Sequence, residues 1–415
     1  MQSGFNLCLD AVRRINSHGK SETGGVSRIA YTEKDRLARE TLVEIMHETG
    51  FQVEIDEVGN IKGTRWGSRP SAPPIAVGSH IDTVPDGGKF DGILGVAAGL
   101  GAVLDVAERC PDHVNPLQVI VFSGEESSRF GVSNVGSKAV TGYMSLKDFF
   151  DHRDDQGISV FKALRDFGLS PEKADRSRIL PSDMKAFFEL HIEQGPFLDQ
   201  TGIDVGVVEA IAAPTRLFLE ILGESAHSGA CPMDMRKDAL AASSEIVLAV
   251  ERLAKEESAF KTVGTVGDCK VFPGVMNVVP GRSSLKVDIR GIDGKSIDRV
   301  FDGLLKEMER ISASRNVEIK KKVISRGEPV VLDGRLRWPF LGQVCEDMEI
   351  GWTDMPSGAG HDAMYVASVI PTAMIFVPCV GGISHSSEEK VEIGRIRPGY
   401  RALVEVIYRL VTKDR

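Results

Sequence analysis

A chain of 415 residues has room for roughly two to three domains and a large buried core. Its 50 basic and 59 acidic side chains leave a formal net charge of −9, which argues against a nucleic-acid partner held through phosphate contacts. Hydrophobic residues at 42% are the proportion of an ordinary globular protein, the residues Met1–Asp10 lack a basic segment followed by a long apolar core, and no apolar run approaches membrane-spanning length; no membrane partner and a cytoplasmic location are expected.

In chain order, Thr32 reads as the N-cap of a helix that carries Asp35 in its first turn and has Gly50 just past its end. Alternating Phe51, Val53 and Ile55 predict a strand, and Gly59-Asn60 a turn. The runs Pro74–Ser79 and Leu117–Phe122 predict buried strands, with a glycine-rich helix starting near Gly92 between them. Ala186–His191 predicts another strand. Such alternation implies α/β layers around a largely parallel sheet. The pattern changes near Ala212–Thr215. From there it reads strand, helix, strands, helix and strand to about Ser325, a small antiparallel sheet covered by helices on one face. Pro329, Gly334 and Pro339 mark a return to α/β material that includes Thr372–Val377, so the smaller unit reads as an insertion. Six scattered cysteines without a C-x-x-C pair form neither a zinc-finger spacing nor a disulfide framework.

Three segments place imidazole and carboxylate groups just beyond predicted strands: His80-Ile81-Asp82, Phe90-Asp91-Gly92 and Gly124-Glu125-Glu126. In open α/β sheets that edge is where ligands bind. Asp82 is expected to turn its carboxylate back to His80 and fix the tautomer of a metal-bound ring. Asp91, flanked by glycines, is placed to bridge two cations. Glu125 and Glu126 diverge, so one can bind metal while the other moves a proton. His191 and His385 also follow apolar strand patterns. Three imidazoles and two carboxylates suffice for a pair of cations such as zinc or manganese. Taken singly, each residue has an ordinary explanation: a hydrogen-bonded structural histidine, a solvated Glu-Glu, a helix cap at Asp91, an Asx-turn at Asp82. Their joint occurrence at several strand ends is what favours a site.

The segments Ser79–Pro85, Gly88–Gly95, Gly124–Glu126, His191–Gly195, Gly223–Gly229, Gly358–Asp362 and Gly382–Ser386 together resemble the M20 metallopeptidase superfamily. More narrowly they resemble its hydantoinase/carbamoylase branch, which contains N-carbamoyl-L-amino acid hydrolases, β-ureidopropionases and allantoate amidohydrolases. The resemblance covers nearly the whole chain in the expected order. It implies an α/β, zinc-peptidase-like catalytic domain with a mainly parallel mixed sheet, formed by residues 1–212 and 327–415. Residues 213–326 would form an inserted α+β lid and dimerisation domain, and the protein a homodimer.

The resemblance further implies two divalent ions per subunit, with zinc, manganese, cobalt and nickel all acceptable to such ligands. His80, Asp91 and His191 would surround one ion, and Asp91, Glu126 and His385 the other. Glu125 would be the general base acting on metal-activated water, with Asp82 in support and His227 donating to the carbonyl oxygen. Gln194, Asn277, Arg290 and the backbone of Gly358 and Ala359 would bind substrate, the planar fork of Arg290 gripping a carboxylate. His361 and Asp362 are expected to support their loop rather than bind metal. The expected activity is hydrolysis of the carbamoyl C–N bond of a small, carboxylate-bearing N-carbamoyl amino acid. Allantoate hydrolysis, a dipeptidase or aminoacylase activity of the same superfamily, and a non-catalytic binding role are the alternatives. A serine nucleophile is disfavoured by the lack of a G-x-S-x-G elbow. A dinucleotide site is disfavoured because Gly99-Leu100-Gly101 falls inside a predicted helix, where the glycines serve packing.

Overall fold

The apolar runs become strands buried on both faces, as parallel strands require. In the computed structural model, which describes residues 2–412, Leu117–Phe122, Ile75–His80, Ala186–Ile192 and Thr372–Val377 lie side by side in that order, all parallel. Their C-terminal ends therefore share one edge of the sheet. Antiparallel strands flank this centre. Ile61–Arg65 and then Gln52–Ile55 extend one side, and Val205–Ile211 pairs with Thr372–Val377 on the other. Trp352–Ser357 and Val330–Val331 pair with Val205–Ile211. The fold is mixed α/β.

The helix Ile93–Arg109 is buried on nearly every side, as its all-round apolar sequence demands. Glycines let it descend onto its neighbours. A Cβ at Gly95 would lie 2.3 Å from the Leu190 carbonyl oxygen of the sheet, and one at Gly101 only 2.1 Å from the carbonyl oxygen of Gly4 in the helix Gln2–Ile15. Asp105 fixes the same crossing by accepting from the Gly4 amide at 3.0 Å and the Tyr400 hydroxyl at 2.7 Å. The helix Glu33–Glu48 starts after Thr32 as expected, yet the Thr32 hydroxyl donates back to Ile29 instead of capping, and the Asp35 carboxylate accepts from the Tyr31 amide at 2.8 Å.

Contacts divide the chain into two compact units. The first comprises the residues up to Glu209, Leu332–Met355 and those from His361 onward; the second comprises Ala210–Val331 and Pro356–Gly360. In the second, Glu318–Arg326, Ala213–Leu222, Arg282–Gly291 and Val263–Phe272 form an antiparallel sheet in that order. Alternate residues Leu217, Leu219 and Ile221 and their neighbours Leu285, Val287 and Ile289 pack with the helices Ala239–Glu256 and Gly294–Arg315 in one core. Asp238 and Asp293 cap those helices through their carboxylates. A two-residue pairing joins Ala226–His227 to Val278–Val279. Among the described residues, no helix is long and apolar enough to cross a membrane.

Gly101→Ala is expected to destabilise the protein by about 1–3 kcal/mol, because the obstacle is backbone and cannot rotate away. Gly267→Ala, with nothing within 4 Å of the added carbon, is the control and should be neutral. Urea unfolding of both variants measures this, and equal stabilities would remove the close crossing as a constraint.

Candidate metal centre

Two of the parallel strands carry a histidine at or next to their C-terminal end, His80 and His191, and each ring is oriented by a backbone carbonyl. His80 Nδ1 lies 3.0 Å from the Asp82 carbonyl oxygen and His191 Nδ1 lies 2.9 Å from that of Ile192. These bonds place the proton on Nδ1 and leave Nε2 to face a common point. There Asp91 Oδ1 stands 3.7 Å from His80 Nε2 and 3.2 Å from His191 Nε2. Gly92, with φ of 66°, brings the loop in; a Cβ there would lie 2.3 Å from the His80 ring.

The expected manner of Asp82 is corrected. Its carboxylate stays 3.8 Å from His80 Nδ1 and instead accepts from the amides of Glu125 at 3.2 Å and Glu126 at 3.0 Å. A buried carboxylate gains more from two charge-assisted amide bonds at the next strand's end than from a ring already held by a carbonyl. Burial pushes Asp82 up to about 6, with Asp35 adding to the effect while the two amides oppose it. Asp82 thus orients both glutamates.

The other oxygen of Asp91 faces the second group. His385 Nε2 lies 3.1 Å from Asp91 Oδ2 and 3.3 Å from Glu126 Oε1. His385 adopts a left-handed backbone with φ of 54°, and its side chain is 49% exposed. The donor atoms of His80, Asp91 and His191 all fall within 4.8 Å of one another, as do those of Asp91, Glu126 and His385. Imidazole nitrogens and carboxylate oxygens at that spacing fit a divalent transition ion or zinc in each set. Glu189, His191 and His361 form a third such group. There, however, the Glu189 oxygens already accept from the Ser79 hydroxyl at 2.8 Å and the Ala363 amide at 2.9 Å.

Glu125 is buried beside these sets, its Oε2 3.9 Å from His80 Nε2. Burial and then the neighbouring Glu126 hold its carboxyl well above the usual range. Its Oε1 accepts from Asn134 Nδ2 at 2.9 Å, and the same amide reaches Asp362 Oδ1 at 3.2 Å. Asp362 also accepts from the Ser137 hydroxyl at 2.5 Å. Asp362 therefore supports the Asn134 turn behind Glu125, rather than the loop expected from sequence. Gln194, expected on substrate, donates here to Asp91 Oδ2 at 3.0 Å, and its Oε1 is buried without a hydrogen-bond partner among the described residues.

The remaining predicted residues lie in the second unit. His227 Nδ1 accepts from the amides of Gly229 and Ala230 at 3.1 and 3.2 Å, so the neutral ring carries its proton on Nε2 and is a donor there. The Asn277 carbonyl accepts from the Ser228 amide at 3.0 Å, and Val278, next in the chain, pairs with His227. Arg290 is already bidentate: Nε and Nη2 meet the Asp288 carboxylate at 3.0 and 3.1 Å, while Nη1 donates to the Gly358 carbonyl at 3.0 Å. Three of its five donors are used and two remain. The Ala359 amide, expected as a substrate donor, donates to Ser357 Oγ at 3.2 Å. The sequence reading missed Asn134 and Asp288. For Asp288 the signal was available, since residues two apart on a strand share a face. Asn134 owes its place to a left-handed turn, with φ of 60°, that no spacing announces.

Comparison with known proteins follows the same lines. Residues 76–409 match Peptidase family M20/M25/M40. The chain is 36% identical to an N-carbamoyl-L-amino-acid amidohydrolase of Pseudomonas sp. (strain NS671), covering 96% of each chain. It is 34% identical to an allantoate amidohydrolase of Bacillus subtilis (strain 168), covering 98% of this chain and 97% of the other. A solved amidase of the hydantoinase/carbamoylase family from Burkholderia multivorans superposes with a TM-score of 0.90 at 32% identity, covering 97% of each chain.

Hydrogen bonds to Asp91 and then Glu126 raise His385 to about 10, so at pH 7 the metal-free ring is protonated. A metal needs the neutral ring. Loading at pH 7 is therefore expected to release about one proton from this residue, and apparent affinity to rise with pH until about 10. Calorimetric titration with zinc in buffers of different ionisation enthalpy counts the protons. A release unchanged by His385→Ala would remove this ring from the ligand set.

Proposed function

The chain belongs to peptidase family M20/M25/M40 and is a hydrolase of linear amide C–N bonds; from that premise we propose that it cleaves the carbamoyl C–N bond of a small N-carbamoyl amino acid. The observation that carries the reading is the pair of donor sets sharing Asp91, with Glu125 buried beside both. Two divalent ions held by His80, Asp91 and His191 and by Asp91, Glu126 and His385 would supply Lewis acidity, polarising a carbonyl and bringing the pKa of water to about 7.

The chain's own groups then have distinct tasks. Asn134 holds Glu125 Oε1, which leaves Oε2 to take a proton from the attacking water and pass it to the departing nitrogen. The raised proton affinity of Glu125 suits both halves of that transfer. The Nε2–H of His227 is the donor for charge developing on the carbonyl oxygen. The two remaining donors of Arg290, held in place by Asp288, take the substrate carboxylate, with Asn277 and Gln194 on nearby polar atoms. The reading includes a homodimer formed through the second unit and leaves zinc, manganese, cobalt and nickel as equal candidates.

Allantoate is the second reading, favoured by the Bacillus subtilis relative; it too presents a carboxylate and a ureido carbonyl. Ammonia release from N-carbamoyl α-amino acids, N-carbamoyl-β-alanine and allantoate, with dipeptide hydrolysis alongside and metal loading matched, separates these readings. Turnover of dipeptides alone would overturn the carbamoyl assignment, and full activity after chelation the metal assignment. Glu125→Gln should retain metal while kcat falls about 10²- to 10⁴-fold; near-normal kcat would take the proton-transfer role from Glu125. Arg290→Lys should lower kcat/KM about 10- to 100-fold with metal content intact, and an unchanged value would refute the carboxylate grip.

A further inference from the structure

Two ligand loops of the first unit, one carrying Asp91 and the other His385, are joined by a carboxylate that is neither a ligand nor a base. Glu389 is buried. Its Oε1 accepts from the amide of Phe90 at 2.8 Å and that of Asp91 at 3.3 Å. Its Oε2 accepts from the Ser384 hydroxyl at 3.0 Å, and that hydroxyl is also 3.0 Å from Asp91 Oδ2. The amides lie just before Gly92, and Ser384 immediately precedes His385. The carboxylate therefore spans from the bridging aspartate to the neighbour of the exposed ligand.

The surrounding chain leaves room for this group and nothing more. A Cβ at Gly88 would fall 1.9 Å from Glu389 Cδ and 2.1 Å from both carboxylate oxygens. Gly88 lacks a positive φ, so no left-handed backbone calls for glycine there. The space is what requires glycine there.

We infer that Glu389 is a positioning residue that fixes the separation of Asp91 and His385, and thereby the geometry of the donor set these residues form with Glu126. The inference rests on the metal reading of that set. Groups that orient ligands in this way affect metal affinity about 10- to 100-fold.

The test is Co(II) titration of metal-free protein, followed by visible absorption and by competition with a chromophoric chelator, alongside thermal melts without metal. Wild type should bind two equivalents. In Glu389→Ala one equivalent should weaken about 10- to 100-fold. Glu389→Gln should restore it, because its carbonyl can accept from the two amides while its NH₂ donates to Ser384. Gly88→Ala leaves every hydrogen-bonding group in the chain but displaces the carboxylate, so it should weaken the same equivalent with a metal-free melting temperature close to wild type. In the Glu389→Ala background, the added methyl group should have no further effect.

Unchanged affinity for both equivalents in Glu389→Ala and Gly88→Ala, with or without a lowered melting temperature, would overturn the inference by making Glu389 a support of the fold only. Additive effects of the two substitutions would overturn it as well. If wild type binds no Co(II), the metal reading fails instead, so the two failures are distinguishable.

Discussion

Three imidazole nitrogens within 3.1 to 3.7 Å of one buried carboxylate is the arrangement on which the first unit depends. Burial opposes ionisation of Asp91, and hydrogen bonds to His191 and His385 outweigh it, holding the carboxyl well below its usual range. An anion removed from water must be paired from several directions. The fold meets that demand with parallel strands whose ends deliver His80 and His191 to one edge, and with a return of the chain 293 residues after Asp91 that brings Ser384 and then His385. The buried Arg28 reinforces the first of these strand ends by donating to the Ile81 carbonyl at 2.5 Å.

The surroundings are unusually rich in negative groups. Asp82, Asp91, Glu125, Glu126, Glu189, Asp362 and Glu389 are all buried. Some are answered locally: amides neutralise part of the charge of Asp82, and a hydroxyl and an amide serve Glu189. For others, Glu125 and Asp362 among them, burial is the largest cause of a raised proton affinity. Buried carboxylates crowded in this way favour positive charge close by, which is the electrostatic counterpart of the two donor sets.

The strands that build the site were legible because parallel strands covered on both faces must be apolar along their length, and Ile75–His80 and Ala186–Ile192 are buried throughout. That these strand ends carry ligand-type residues was legible as well, since the chemistry admits few residue types, while their division into two sets came from the family resemblance. What each ligand's neighbours do was not. Asp82 offers both a carbonyl and a carboxylate to His80, and only the pairing of Ile75–His80 with Leu117–Phe122 brings up the amides that claim the carboxylate. Glu389 meets Phe90 across 299 positions of sequence. The return of Pro356–Gly360 to the second unit, where Gly358 meets Arg290, is likewise a matter of tertiary contact. Local pattern predicts what a segment can offer, and packing decides which offer is taken.

The two donor sets differ in their exposure. His80, Asp91 and His191 are walled in, whereas the other set ends on a half-exposed ring held by a left-handed turn. Solvent reaches the pair from the His385 side, so an ion held there would enter or leave from that side. An ion in the sealed set would then exchange more slowly, and the order in which a chelator stripped the two sets would reflect kinetic access as much as binding strength.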